Sequence, residues 1–153
     1  MSKVRGLYSL RERGMKRRKK RVGRLDTLNM KYKGEMGEAI VERFLQKKGF
    51  IVYRHPDSKT PDLLAYHRRW KLFLLVEVKY TDGDEVIIDR HQLEVLRDMG
   101  DFFRSMLATH LIFTVPCVLV VFKDRRVIAG KRVNDEWDGK SNLKVRWSDG
   151  LPF

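Results

Sequence analysis

The chain has 153 residues, 42% hydrophobic and 35% charged, enough for one domain with a proper core and too short for two comfortable ones. No stretch approaches the ~20 apolar residues of a membrane-spanning helix, and the charged N-terminus lacks the apolar segment of a secretory signal. A formal net charge of +13 implies a polyanionic partner, and a single cysteine excludes an internal disulfide.

The charge is uneven. Residues 1–33 hold 13 Lys/Arg against Glu12 and Asp26, whereas the other 120 residues hold 20 basic and 18 acidic side chains. A basic arm, with Lys16, Arg17, Arg18, Lys19, Lys20, Arg21 and Arg24 at its centre, therefore precedes a nearly neutral domain. Each phosphate such an arm neutralises releases condensed counterions, so it suits nucleic acid. It has too few bulky apolar residues for a membrane-surface helix. The arm is expected to be helical or disordered.

From residue 34 the pattern changes. Ala39, Ile40, Phe44 and Leu45 mark an amphipathic helix over 34–48, stopped by two lysines and Gly49. Residues 50–53 read as a first strand, and 55–61 are turn chemistry. Residues 62–66 and 71–79 read as a second and a third strand joined by a short hairpin at 67–70. The third is apolar on both faces until Glu77, as expected of a central strand. A loop over 81–84 leads to a helix with Asp89 as N-cap, ending before Gly100, and 101–109 continue as a further helical segment. Residues 116–122 and 127–133 read as strands around a turn at 124–126. The order αβββαββ is mixed α/β. The tail from 134, with Trp137 and Trp147, has no assignable periodicity and is expected to pack on the core.

The chemistry concentrates in a few residues. Glu77 and Lys79 are two apart on a strand and project from one face, while Val76 and Val78 point the other way. A carboxylate and an ammonium thus sit side by side where an apolar strand ends. Asp62 opens the neighbouring strand after Pro61. If Asp62 and Glu77 meet at one sheet end, they supply two anionic oxygens for a hard cation, with a cation beside them to offset developing charge.

Pro61-Asp62 followed by Glu77-Val78-Lys79 resembles the motif of the PD-(D/E)XK nuclease superfamily. Upstream, Gly37-Glu38-Ala39 in a helix ending Lys48-Gly49-Phe50 is similar to the first helix of archaeal Holliday-junction resolvases and related small nucleases. Downstream, the helix around Gln92 is similar to the one that follows the catalytic strand. The likeness covers residues 34–133. It implies a restriction-endonuclease-like fold, with a central mixed sheet flanked by helices, and a metal-dependent endodeoxyribonuclease selective for DNA structure. It further implies Mg²⁺ or Mn²⁺ held by Asp62, Glu77 and the Val78 carbonyl, with Glu38 in support. Lys79 would orient the attacking water and Gln92 would hold the lysine or a phosphate. A homodimer, 5′-phosphate products, DNA as partner and no membrane association complete the expectation. Glu35 and Glu42 share a helical face with Glu38 and leave the helix ligand open.

Other readings stand beside these. An inactive nucleic-acid-binding protein on this fold, or a nuclease of RNA or single strands, fits the same residues, since phosphates of every such polymer attract the arm. Glu77 and Lys79 also suit a strand-end ion pair, Asp62 a turn, Glu38 a solvated helix face and Gln92 an ordinary first-turn glutamine. Arg54 and Lys59 are further candidates for phosphate contact. Tyr53, Trp70 and Tyr80 suit either core or nucleic acid. The four histidines lack metal-ligand spacing and read as surface or phosphate-contacting residues. The loop Asp82-Gly83-Asp84-Glu85 is acidic enough to bind a metal or gate access. Cys117, in an apolar run, reads as a buried inert thiol in a reducing, cytoplasmic setting. The scarcity of Gln and Asn beside abundant Lys, Arg and Glu is the thermophile direction, and an archaeal or a viral source fits.

Overall fold

The structure, a computed structural model, describes the backbone of residues 19–56 and 59–153 and the side chains from 32 onward within those spans. Lys16, Arg17 and Arg18 lie outside the described residues, and so do the side chains of Lys19, Lys20, Arg21 and Arg24. The chain divides into a unit of residues 1–36, described as helix from Lys19, and a compact unit of residues 37–153.

The first helix, α1 (Lys19–Lys47), begins 15 residues before the apolar periodicity does. Lys, Arg, Leu and Met are good helix formers, so the basic segment propagates a helix without a buried face to announce it. Its end is a Schellman cap. Phe50 N–H reaches Leu45 O and Gly49 N–H reaches Gln46 O, both at 3.0 Å, with Gly49 at φ 99°. Phe50 is thereby part of the cap, and β1 (Ile51–Arg54) starts one residue later than its β-rich composition suggests.

β2 (Leu63–His67) and β3 (Leu72–Thr81) form the expected hairpin, and β5 (Phe113–Phe122) runs parallel to β3 on its other side. With β6 (Val127–Arg132) the sheet order is β1-β2-β3-β5-β6, a mixed sheet with β3 at its centre. Alternation on β3 divides the core. Leu74, Val76 and Val78 pack with Val41 and Leu45 of α1. Leu75 packs on the other face with Leu93 and Leu96 of α2 (Arg90–Leu107).

Asp89 caps α2 as the sequence suggests, accepting from His91 N–H at 3.0 Å. The helix does not stop at Gly100. A Cβ there would lie 2.8 Å from Pro116 Cγ, so this glycine serves close packing on β5 and α2 continues to Leu107. A short 3-10 turn (Ala108–His110) leads into β5.

Two elements escaped the sequence reading. β4 (Glu85–Ile88) and β7 (Leu143–Arg146) pair antiparallel as a second, two-stranded sheet. After a single helical turn, α3 (Val133–Glu136), Trp137, Leu143 and Val145 are buried in the α2-side core. The alternation of Leu143-Lys144-Val145-Arg146 is visible in the sequence, but it spans only four residues.

Cys117 is fully buried, and burial pushes its thiol up to about 12. His67 departs from its surface assignment. It is buried between Phe50 and Trp70, stacked on the Trp70 ring at 3.9 Å. Its Nδ1 accepts from Trp70 N–H at 3.1 Å, so the Nε2 proton faces Lys48 O at 3.0 Å. No described helix is long and apolar enough to cross a membrane.

Candidate metal-dependent active site

The β2–β3 register pairs Leu63 with Val76, so continuing the ladder sets Asp62 opposite Glu77. Asp62, Glu77 and Lys79 then share the α2 face at one end of the central strand. That end is dry: Asp62 is 8% and Glu77 4% exposed. Asp62 Oδ2 accepts Val78 N–H at 2.8 Å, which fixes one oxygen of its carboxylate.

Glu77 is held from two sides. Its Oε2 lies 3.5 Å from Lys79 Nζ and accepts from Gln92 Nε2 at 3.2 Å. Gln92 reaches it because the Asp89 cap starts α2 beside the strand end, three residues before Gln92 turns toward Glu77. Glu77 Oε1 is buried with no hydrogen-bond partner among the described residues. An ionised oxygen left so would cost several kcal/mol of lost solvation. Burial, then the charge of Asp62, pushes Glu77 up to about 7, against the opposing pull of Lys79. Asp62 is likewise raised by burial, partly offset by the Val78 N–H and by Lys79. Two buried carboxylates served by one ammonium lack positive charge. The donor set therefore fits a hard divalent cation, which takes carboxylate and carbonyl oxygens and keeps several waters. Among the described residues no group of three or more His, Cys, Asp or Glu could hold a metal, which is compatible with two carboxylates plus a backbone carbonyl.

α1 runs antiparallel to β3 and brings its Gly37 end to this pole. A Cβ on Gly37 would sit 3.2 Å from Tyr80 Cβ and 3.5 Å from Val78 Cγ1, so glycine is what lets the helix approach the strand here. Glu38 is the next residue, half-buried, on the helix covering the opposite sheet face from Glu77. Glu42, one turn on, is ion-paired to Arg54 at 3.4 Å. Arg54 is thus partly neutralised, while Lys59 is exposed. The acidic loop is matched by cations. Asp82 lies 3.9 Å from Lys123, Asp84 3.0 Å from Arg125, and Glu85 within 3.7 Å of Lys144 and Arg146. Its acidity is answered by ion pairs of the domain itself.

Residues 29–128 match the family described as archaeal Holliday junction resolvase (Hjc). Among solved structures, the Hjc of Archaeoglobus fulgidus, described as a Holliday junction resolvase from an archaeal hyperthermophile, superimposes with a TM-score of 0.62 at 21% identity. The match covers 79% of this chain and 92% of that one, and it establishes the fold. No curated protein sequence matches.

Proposed function

The chain belongs to the archaeal Holliday junction resolvase family, and we propose that Asp62, Glu77 and Lys79 are the centre with which it hydrolyses a phosphodiester bond of branched DNA. Membership makes it a structure-selective DNA endonuclease of recombination and repair. The observation that carries the site is the buried carboxylate pair, with Glu77 Oε1 unpartnered among the described residues and Lys79 3.5 Å from its other oxygen.

Asp62, Glu77 and the Val78 carbonyl would hold a divalent cation, Mg²⁺ or Mn²⁺, whose charge would offset both carboxylates and which would supply Lewis acidity. Val78 N–H orients Asp62, and Gln92 fixes Glu77 Oε2, leaving Oε1 as its ligand-facing atom. Lys79 projects from the same face and positions the attacking water and the charge that develops on the phosphoryl oxygens. Glu38 is the favoured helix residue for a further ligand or a held water, because Gly37 brings its neighbour against β3. The basic residues between 16 and 24 add salt-dependent affinity for phosphates.

A junction offers two symmetric strands, so we infer a homodimer. In support, α2 exposes Val95, Phe102 and Met106 along one stripe. Light scattering at micromolar concentration should give twice the 18.2 kDa chain mass; a monomer, free and on DNA, would exclude it.

The reaction is tested with four-way junction, duplex and single strand, each with Mg²⁺, with Mn²⁺ and with chelator. Junction cleavage dependent on the cation is expected. Full activity in chelator would overturn the metal reading, and no cleavage of any DNA would overturn the enzyme reading.

A further inference from the structure

The sheet end away from the carboxylates carries cations that the site does not use. α1 ends in Lys47-Lys48, and the β2–β3 hairpin reads His67-Arg68-Arg69-Trp70-Lys71. All five Lys/Arg are exposed and line one shallow groove, floored by the cross-strand pair Ile51 and Tyr66. Among the described residues none of the five has a carboxylate partner. Elsewhere in the same domain many cations are compensated, as in Arg54–Glu42 at 3.4 Å, Arg104–Asp101 at 2.8 Å and Arg125–Asp84 at 3.0 Å; others without such a partner among the described residues, such as Arg43, Arg90 and Arg126, do not line this groove. The macrodipole of α1 accounts for Lys47 and Lys48 at its C-terminus. It does not account for the three cations of the hairpin, which belongs to no helix.

The two sides of the groove are also tied together. His67 ties the hairpin to the last turn of α1 through Lys48 O and stacks on Trp70, which is 51% exposed. A Cβ on Gly49 would lie 2.9 Å from His67 Nε2, so helix end and hairpin interlock. Arginine guanidinium groups on a fixed turn match phosphate oxygens in a bidentate manner and lose little freedom on binding.

From Leu72 to Glu77 is five residues of strand, roughly 17 Å at about 3.3 Å each. Duplex DNA covers that distance in about five base pairs at about 3.4 Å per pair. We propose that this groove is a second DNA contact, gripping the phosphate backbone of a duplex arm about five base pairs from the scissile bond. The proposal rests on the junction-cutting reading and deepens it, since a contact at that distance along an arm sets how the branch point lies on the carboxylates.

The test uses the full chain and an Arg68→Ala/Arg69→Ala/Lys71→Ala variant. Four-way junction binding is measured over a salt series without divalent metal, with hydroxyl-radical footprints at low salt. The log–log salt slope should become shallower by about 2 to 3, at about 0.9 per lost phosphate contact. Protection should disappear about five base pairs from the cut position. An Arg68→Lys/Arg69→Lys variant should keep most of the slope. With metal, the triple alanine variant should raise KM. An unchanged slope overturns the proposal, as does a reduced slope with that protection intact. Because binding is read without metal, a protein that binds this way and never cuts removes the nuclease reading alone. One that cuts normally with an unchanged slope removes this proposal alone.

Discussion

The two ends of the β2–β3 ladder are opposites. At one, Asp62 and Glu77 are buried carboxylates with a single ammonium beside them. At the other, Lys47, Lys48, Arg68, Arg69 and Lys71 are exposed cations with no carboxylate partner among the described residues. At each end charge of one sign is gathered without enough of the other beside it, the arrangement of a surface that meets something from outside the chain. The physics of the two ends differs, however. The carboxylates are desolvated, so their imbalance is expensive and selective for a small cation. The hairpin cations are solvated, so their imbalance is cheap, screened by salt and suited to a polyanion.

The largest effects should come from the buried end. Asp62→Ala and Lys79→Ala should each slow single-turnover junction cleavage by roughly 10²- to 10⁴-fold, while junction affinity changes little. Affinity lost in parallel with rate would mean that this end is a binding surface like the other.

A pH experiment sharpens the same contrast without DNA. Glu77 is raised from 4.5 to about 7 in the folded chain, so the native state binds more protons than the unfolded state between those values. Metal-free stability should therefore fall as pH rises through that window, by on the order of 2–3 kcal/mol, and Glu77→Gln should flatten the profile. Divalent cation should restore stability at pH 8 by mass action. Substituting Arg68 and Arg69 should leave the profile unchanged. Urea midpoints at several pH values check all of this, and a metal-free profile that rises over the window would contradict the assigned burial.

Smaller effects come from the supporting residues. Gln92→Ala should weaken metal affinity by about 10- to 100-fold without unfolding the domain, as loss of a hydrogen bond to a metal-holding carboxylate does. Titrating the cation in cleavage assays reads it, and an unchanged midpoint would return Gln92 to an ordinary first-turn residue. At the hairpin end, Gly49→Ala should cost about 1–2 kcal/mol, because the backbone is left-handed there and the new methyl meets His67. Unaltered thermal unfolding would show that the interlock is loose.

The same contrast explains what the sequence revealed. Glu77-Val78-Lys79 was legible because two polar residues interrupt an apolar strand with period two, and the Pro-Asp turn and Gly37-Glu38-Ala39 flank it at the right ends. The ladder of β2 with β3 then followed from a short hairpin. His67 was not legible, since nothing local distinguishes a histidine that ends a strand from one that is stacked beneath Trp70. The hairpin cations were legible as charges only. That their neighbours lack carboxylates is a property of the fold, as is the matching of the acidic loop by Lys123, Arg125, Lys144 and Arg146. Gly100 misled because packing against Pro116 and stopping a helix ask for the same residue. β4 and β7 were missed because four-residue strands joined across more than 50 positions carry almost no local signal.

The central claim is that the buried carboxylates do chemistry and not binding. Its most direct test is single-turnover cleavage of a four-way junction by the natural chain and by Glu77→Gln, at saturating enzyme with Mg²⁺, beside the junction dissociation constant of each. The account predicts loss of cleavage by at least about 10²-fold with the dissociation constant unchanged. A Glu77→Gln protein that cuts at the natural rate would contradict it.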